Sequence, residues 1–89
     1  MINIKKTSRY ERERNKFIRN NPIRGKSLIK TLKTFTNNPN HPSLNLEKLS
    51  GTKIWTIRID KSSRIFFYWI NDETALFIDI GKHDKYRKY

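Results

Sequence analysis

Cysteine is absent from this chain of 89 residues, so neither a disulfide framework nor a thiolate metal site can support its fold or its chemistry. That absence fits a reducing, cytoplasmic setting. Two histidines, His41 and His83, are too few for a zinc site with such scattered carboxylates, and no D-x-D pair stands ready for a magnesium ion. Metal and cofactor are therefore expected to be absent. Glycine and proline occur only three times each, which leaves no room for a flexible linker, and neither internal repeats nor low-complexity tracts break the chain. The opening Met1-Ile2-Asn3-Ile4-Lys5-Lys6 lacks the apolar run of a signal peptide, and no stretch is long enough to cross a bilayer. The expectation is one soluble domain over residues 1–89, with no membrane partner. Acidic residues are scarce as well: 8 Asp and Glu face 20 Lys and Arg, for a formal net charge of +12. Solubility needs far less, so a polyanionic partner is implied. Eleven of the cations lie in residues 1–33, against only Glu11 and Glu13.

What is present divides into periodic segments. Ile2 and Ile4 alternate with polar neighbours as in a short strand ending near Thr7-Ser8. Ser8 is placed to cap a helix running to about Asn20, where Tyr10 and Phe17 share a thin apolar stripe. Asn20-Asn21-Pro22 interrupts it. A second helix, roughly Arg24 to Asn37, carries the stronger stripe of Leu28, Ile29, Leu32 and Phe35. Asn38-Pro39-Asn40-His41-Pro42-Ser43 must be a loop, after which Leu44, Leu46 and Leu49 are expected to tuck beneath a sheet. Three strands follow, Lys53 to Asp60, Arg64 to Ile70 and Thr74 to Ile80, joined by connectors short enough to force an antiparallel meander.

Strand alternation sets Trp55, Ile57 and Ile59 against Ile54, Thr56 and Arg58, and Arg64, Phe66 and Tyr68 against Ile65, Phe67 and Trp69. The fold class is α+β, with the two N-terminal helices on one face of a mainly antiparallel sheet in β-α-α-β-β-β order. The other face stays partly open and can present Arg58 or Arg64 beside the chain's end. That end, Lys82-His83-Asp84-Lys85-Tyr86-Arg87-Lys88-Tyr89, gathers groups that exchange protons near neutral pH with groups that bind phosphate.

Four segments in order carry a family resemblance: Leu49-Ser50-Gly51, Trp55-Thr56-Ile57-Arg58-Ile59, Arg64-Ile65-Phe66-Phe67-Tyr68 and Ile80-Gly81-Lys82-His83-Asp84. They resemble the RelE/ParE-type toxins of bacterial type II toxin-antitoxin systems, and most closely the RelE-like mRNA interferase branch. The likeness spans nearly the whole chain and is specific in residues 49–89. It implies an endoribonuclease that cuts messenger RNA, usually in the ribosomal A site against 16S ribosomal RNA, and is silenced by a cognate antitoxin protein. It also implies cleavage by attack of the 2′-hydroxyl on the adjacent phosphorus, leaving a 2′,3′-cyclic phosphate without metal. Two other readings stand beside it, a ParE-like poison of DNA gyrase and a non-toxic RNA- or ribosome-binding module.

In-line RNA cleavage needs a base at the 2′-hydroxyl, cations around the phosphoryl oxygens and an acid at the 5′-oxygen. On the family pattern, Arg64 matches the arginine that stabilises the phosphorane-like charge, and Arg58 stands where relatives place a lysine or arginine to hold a phosphate. A strand-edge charge near a turn is the alternative for Arg64, and a solvated strand face for Arg58. His83 falls where relatives carry histidine or arginine and is assigned general acid in preference to a structural role, with Asp84 placed either to orient it or to balance Lys82 and Lys85. Tyr86 and Tyr89 are alternatives for a terminal tyrosine that stacks on a base or assists proton transfer, the other packing on the sheet. Glu47, four residues before Gly51 in what reads as a loop, is the candidate base, with His41 the other option and an exposed ion pair the plain alternative. Thr56 departs from relatives that carry a second strand lysine, favouring a histidine-centred mechanism. Lys53, Lys82, Lys85, Arg87 and Lys88 are expected to bind RNA, while the cations of residues 5–33 grip ribosomal RNA or an acidic antitoxin segment through contacts that carry no sequence information. Trp55 and Trp69 are assigned to the core.

Overall fold

The computed structural model describes every residue from Met1 to Tyr89. Strand β1 (Asn3–Lys6) leads into helices α1 (Ser8–Ile18) and α2 (Pro22–Asn37), followed by strands β2 (Glu47–Lys48), β3 (Trp55–Arg58), β4 (Ser63–Asn71) and β5 (Thr74–Lys82). Two 3-10 turns, Pro42–Leu44 and His83–Lys88, complete the chain. No helix is long and apolar enough to cross a membrane.

Thr7, not Ser8, caps α1. Its hydroxyl oxygen accepts from the Tyr10 backbone N–H at 3.1 Å and donates to the Phe77 carbonyl at 3.0 Å, so one side chain starts the helix and ties it to β5. The second helix begins two residues before the expected Arg24, because Asn21 caps it through the Arg24 N–H and Pro22 occupies its first turn. Proline breaks a helix from inside but suits that position, where no intrahelical N–H is needed.

The five strands lie in the order β1-β5-β4-β3-β2, with β1 parallel to β5 and every other pair antiparallel. One face carries Ile57, Ile65, Phe67 and Phe77, fully buried under Tyr10, Phe17, Leu28 and Phe35 of the helices. Phe35 is the hub, its ring 5.3 Å from that of Phe67 and 5.8 Å from those of Trp69 and Phe77. Trp55 and Trp69 pack against this cluster as partly buried members. Of the α2 stripe, Ile29 is exposed, and Thr31 takes the inward place by returning its hydroxyl to the Ser27 carbonyl.

The strand ends are set by local polar chemistry. Thr52 binds the Leu49 carbonyl and the Ile54 N–H, so β3 opens at Trp55 rather than Lys53. Asp60 takes the Ser62 N–H in a tight turn and closes β3 early. The segment expected to be loop around Glu47 is strand, with Glu47 opposite Thr56. Leu44 is in the core and Leu46 packs against it, as expected for residues beneath the sheet, but Leu49 goes to the opposite face.

Candidate functional site

Cross-strand register determines which side chains meet on the face that the helices leave open. Glu47 pairs with Thr56, Thr56 with Phe66, and Phe66 with Asp79, while Arg58 pairs with Arg64 and Arg64 with Gly81. After Gly81 the chain leaves the sheet through Lys82 and folds into the closing 3-10 turn. The His83 N–H donates to the Ser62 carbonyl at 2.8 Å, which folds the turn back toward the β3–β4 connection.

A cavity of about 300 Å³ results, lined by Glu47, Leu49, Thr56, Arg64, Phe66, His83 and Tyr86. Four residues singled out for proton transfer, phosphate binding or stacking thus share one concavity. Its floor is buried Phe66 and Thr56, and its walls come from β2 and the closing turn. The Nη1 of Arg64 is enclosed and has no hydrogen-bond partner. An enclosed guanidinium donor without an acceptor is costly, and Arg64 is the cationic side chain in the cavity lining. Glu47 keeps an exposed carboxylate, one oxygen of which accepts from Asn45 at 2.9 Å. Asn45 can reach it because it adopts a left-handed conformation at φ 46°, which turns the chain into β2.

The structure separates the two tyrosines. Tyr86 is about half exposed and lines the cavity. The Tyr89 hydroxyl instead donates to Asp79 at 2.7 Å, and its ring lies 5.6 Å from that of Phe66. Lys85 likewise turns away from any external ligand: its ammonium contacts Glu13 of α1 at 2.8 Å, Asp79 at 3.0 Å and the Ile80 carbonyl at 2.9 Å. With all its donors taken, Lys85 does not match the expected RNA contact. Lys53, Lys82, Arg87 and Lys88 are exposed. Arg58 lines a different cavity of about 200 Å³, with Lys30, Thr31 and Thr34 of α2. His41 caps the first 3-10 turn, accepting from Ser43, and lies outside the main cavity. Asp84 is exposed in the closing turn, and no hydrogen bond joins it to the imidazole.

Asp79 is the residue that sequence reasoning missed. It is fully buried, and four donors surround it: the Ile80 N–H and Lys85 on Oδ1, and Arg9 and Tyr89 on Oδ2. Burial alone would raise its pKa, but the bonds from Tyr89, Lys85 and Ile80 outweigh that and hold it below the usual carboxylate value. Glu13 is lowered by its bonds to Lys85 and Lys16, while burial and the neighbouring Asp79 carboxylate push the Tyr89 phenol up to about 12. A bulge allows the arrangement. Phe66 pairs with Asp79 but Phe67 with Phe77, so Ile78 is the extra residue and Asp79 turns onto the side of Phe66. The sequence signal was available: an aspartate between Ile78 and Ile80 in an otherwise apolar strand.

No protein-family model matches the sequence, and no curated protein matches it. Solved structures do match in shape. The chain superimposes on the YoeB/ParE toxin from Agrobacterium tumefaciens with a TM-score of 0.75 at 14% identity, covering 92% of this chain and 99% of that one. The YoeB-YefM complex from Staphylococcus aureus gives 0.72 at 21% identity, covering 93% and 98%. The DinJ-YafQ complex of E. coli gives 0.73 at 12% identity, covering 96% and 97%. The α+β fold implied by the resemblance is therefore the fold observed, shared with these toxins over nearly their full length.

Proposed function

We propose that this chain is the toxin of a type II toxin-antitoxin pair, an mRNA interferase that cuts messenger RNA in the ribosomal A site by metal-independent attack of the 2′-hydroxyl. The observation that carries this reading is the enclosed, unpartnered Nη1 of Arg64 in a cavity that also holds His83, Glu47 and Tyr86. A phosphodiester entering the cavity meets the Arg64 guanidinium there. Arg64 then binds the non-bridging oxygens and stabilises the charge that builds on them.

Glu47 takes the proton from the 2′-hydroxyl as the O2′–P bond forms. His83 gives a proton to the 5′-oxygen as the P–O5′ bond breaks, leaving a 2′,3′-cyclic phosphate and a 5′-hydroxyl. Glu47 and His83 reach the same cavity from different elements, β2 and the closing turn, which supports a division of the two proton transfers between them. Tyr86 supplies a face on which a neighbouring base stacks. The exposed Lys53, Lys82, Arg87 and Lys88, together with the cations of the helices, hold the surrounding phosphates of mRNA and of 16S ribosomal RNA. A protein antitoxin, acidic enough to complement a charge of +12, keeps the activity in check. The solved complexes pairing YoeB with YefM and YafQ with DinJ support that partner.

Primer extension on messenger RNA after induction tests the reading. Discrete in-frame cuts are expected with the unaltered chain, and none with Arg64→Met or His83→Gln at equal protein level. Cuts retained in both variants would overturn it. Growth arrest with a DNA-damage response and intact mRNA would indicate a gyrase poison instead, and harmless expression would indicate an RNA-binding module.

A further inference from the structure

The closing 3-10 turn has little of its own to hold it in place. It spans six residues, none buried, and lacks a side-chain cap. Runs of this helix beyond three or four residues are uncommon because its hydrogen bonds are poorly aligned. It is also cationic, with Lys85, Arg87 and Lys88 following Lys82, so its charges repel one another and the basic helices nearby. Yet His83 and Tyr86 line the cavity from this turn.

What fixes it is a carboxylate on the strand before it. Asp79 grips the turn at two places, the Lys85 ammonium and the Tyr89 hydroxyl, which flank Tyr86. Lys85 extends the grip to Glu13 of α1, and Arg9 of α1 holds the second Asp79 oxygen at 3.2 Å. Gly81 makes room for this. A Cβ at that position would stand 2.6 Å from Cε and 2.9 Å from Cδ of Lys85, so a side chain there would push the lysine from its present path to Asp79.

We propose that Asp79 is a positioning residue: through Lys85 and Tyr89, and with Glu13 as the second anchor, it clamps the C-terminal turn so that His83 and Tyr86 stand in the cavity. None of the clamp residues Asp79, Glu13, Lys85 or Tyr89 lines the cavity. The clamp acts on the rate of the proposed RNA cleavage, and so rests on that reading, but its hold on the turn is measurable without it. A catalytic group displaced by about 1 Å loses on the order of 100-fold in rate.

The experiment uses the full chain with Asp79→Asn, Glu13→Gln or Gly81→Ala, measuring single-turnover cleavage of ribosome-bound mRNA and amide hydrogen exchange. Each variant is expected to lose roughly 10- to 100-fold in maximal rate, because His83 leaves its place while Arg64 on β4 stays in position. Exchange should rise at least about tenfold across residues 82–89 and stay unchanged in β4. Glu13→Gln lies on α1 and keeps the buried Asp79 pairs, so it reports even where Asp79→Asn fails to fold. Full activity in Glu13→Gln and Gly81→Ala, or lost activity with no exchange change confined to residues 82–89, would overturn the clamp. Should the unaltered chain cut no RNA, the cleavage reading fails by itself, and exchange at residues 82–89 still decides whether Asp79 holds the turn.

Discussion

Replacing Arg64 with methionine should make the protein more stable while removing its activity. The Arg64 Nη1 is enclosed with no acceptor, a defect that ordinarily costs about 1 to 3 kcal/mol. Arg64 also stands directly across from Arg58 in the β3–β4 register, and like charges at paired positions cost roughly a few tenths to 1 kcal/mol. Methionine keeps the length and much of the apolar stem beside Leu49 and Phe66, so little packing is lost. Part of the guanidinium remains solvated, which trims the gain to roughly 1 to 2 kcal/mol. For a domain of this size each kcal/mol moves Tm by about 4 to 8 °C. Arg64→Met should therefore melt at least about 4 °C higher than the unaltered protein, in thermal unfolding followed by circular dichroism and in urea titration with unchanged slope. Arg64→Lys, which keeps the charge but not the planar fork, should gain no such stability and still lose activity. A lower melting temperature for Arg64→Met would show instead that Arg64 is satisfied in the free protein.

Three further outcomes follow from the packing and the clamp. Phe35→Ala removes the ring that joins Phe67, Trp69 and Phe77, and should cost about 3 to 5 kcal/mol, which urea unfolding would show as loss of most of the folded population. Thr7→Ala removes both the α1 cap and the bond to the Phe77 carbonyl, and should cost about 1 to 2 kcal/mol by the same assay. The pH profile should fall off at both ends. Asp79 and Glu13 have lowered folded-state values, so their stabilisation is complete above the unfolded carboxylate range and lost as pH falls through the folded values. Tyr89 is raised to about 12, so its contribution is complete below the ordinary tyrosine value of about 10 and lost as pH climbs between the two. Tyr89→Phe should erase the alkaline limb that belongs to this hydroxyl, as read by fluorescence-monitored unfolding against pH.

The sequence made the architecture readable because its periodicities are unambiguous where they matter. Phe67 and Trp69 alternate with Phe66 and Tyr68, and that alternation separates the helix-covered face from the open one. Tight connectors then dictated the meander. Less legible were features that depend on a partner distant in sequence. Thr7 displaces Ser8 as cap because β5 offers it the Phe77 carbonyl, 70 positions away. The strand at Glu47–Lys48 exists only because β3 pairs with it, and two residues carry no periodicity. Arg64, His83, Glu47 and Tyr86 were recognisable from residue type and family likeness, and they converge on one cavity. Arg58 does not join them, and Lys85 and Tyr89 are occupied by Asp79. The second fact could not be read without the bulge at Ile78, which redirects Asp79 from where simple alternation places it.

The proposed reaction is the breaking of RNA by Arg64, Glu47 and His83 through attack of its own 2′-hydroxyl. Its most direct test is the chemistry of the RNA ends produced by the purified chain on ribosome-bound mRNA in excess EDTA. Undiminished cleavage leaving 2′,3′-cyclic phosphate and 5′-hydroxyl ends is expected, lost with Arg64→Met and His83→Gln. Ends bearing a 5′-phosphate, cleavage abolished by the chelator, or full cleavage in both variants would contradict it.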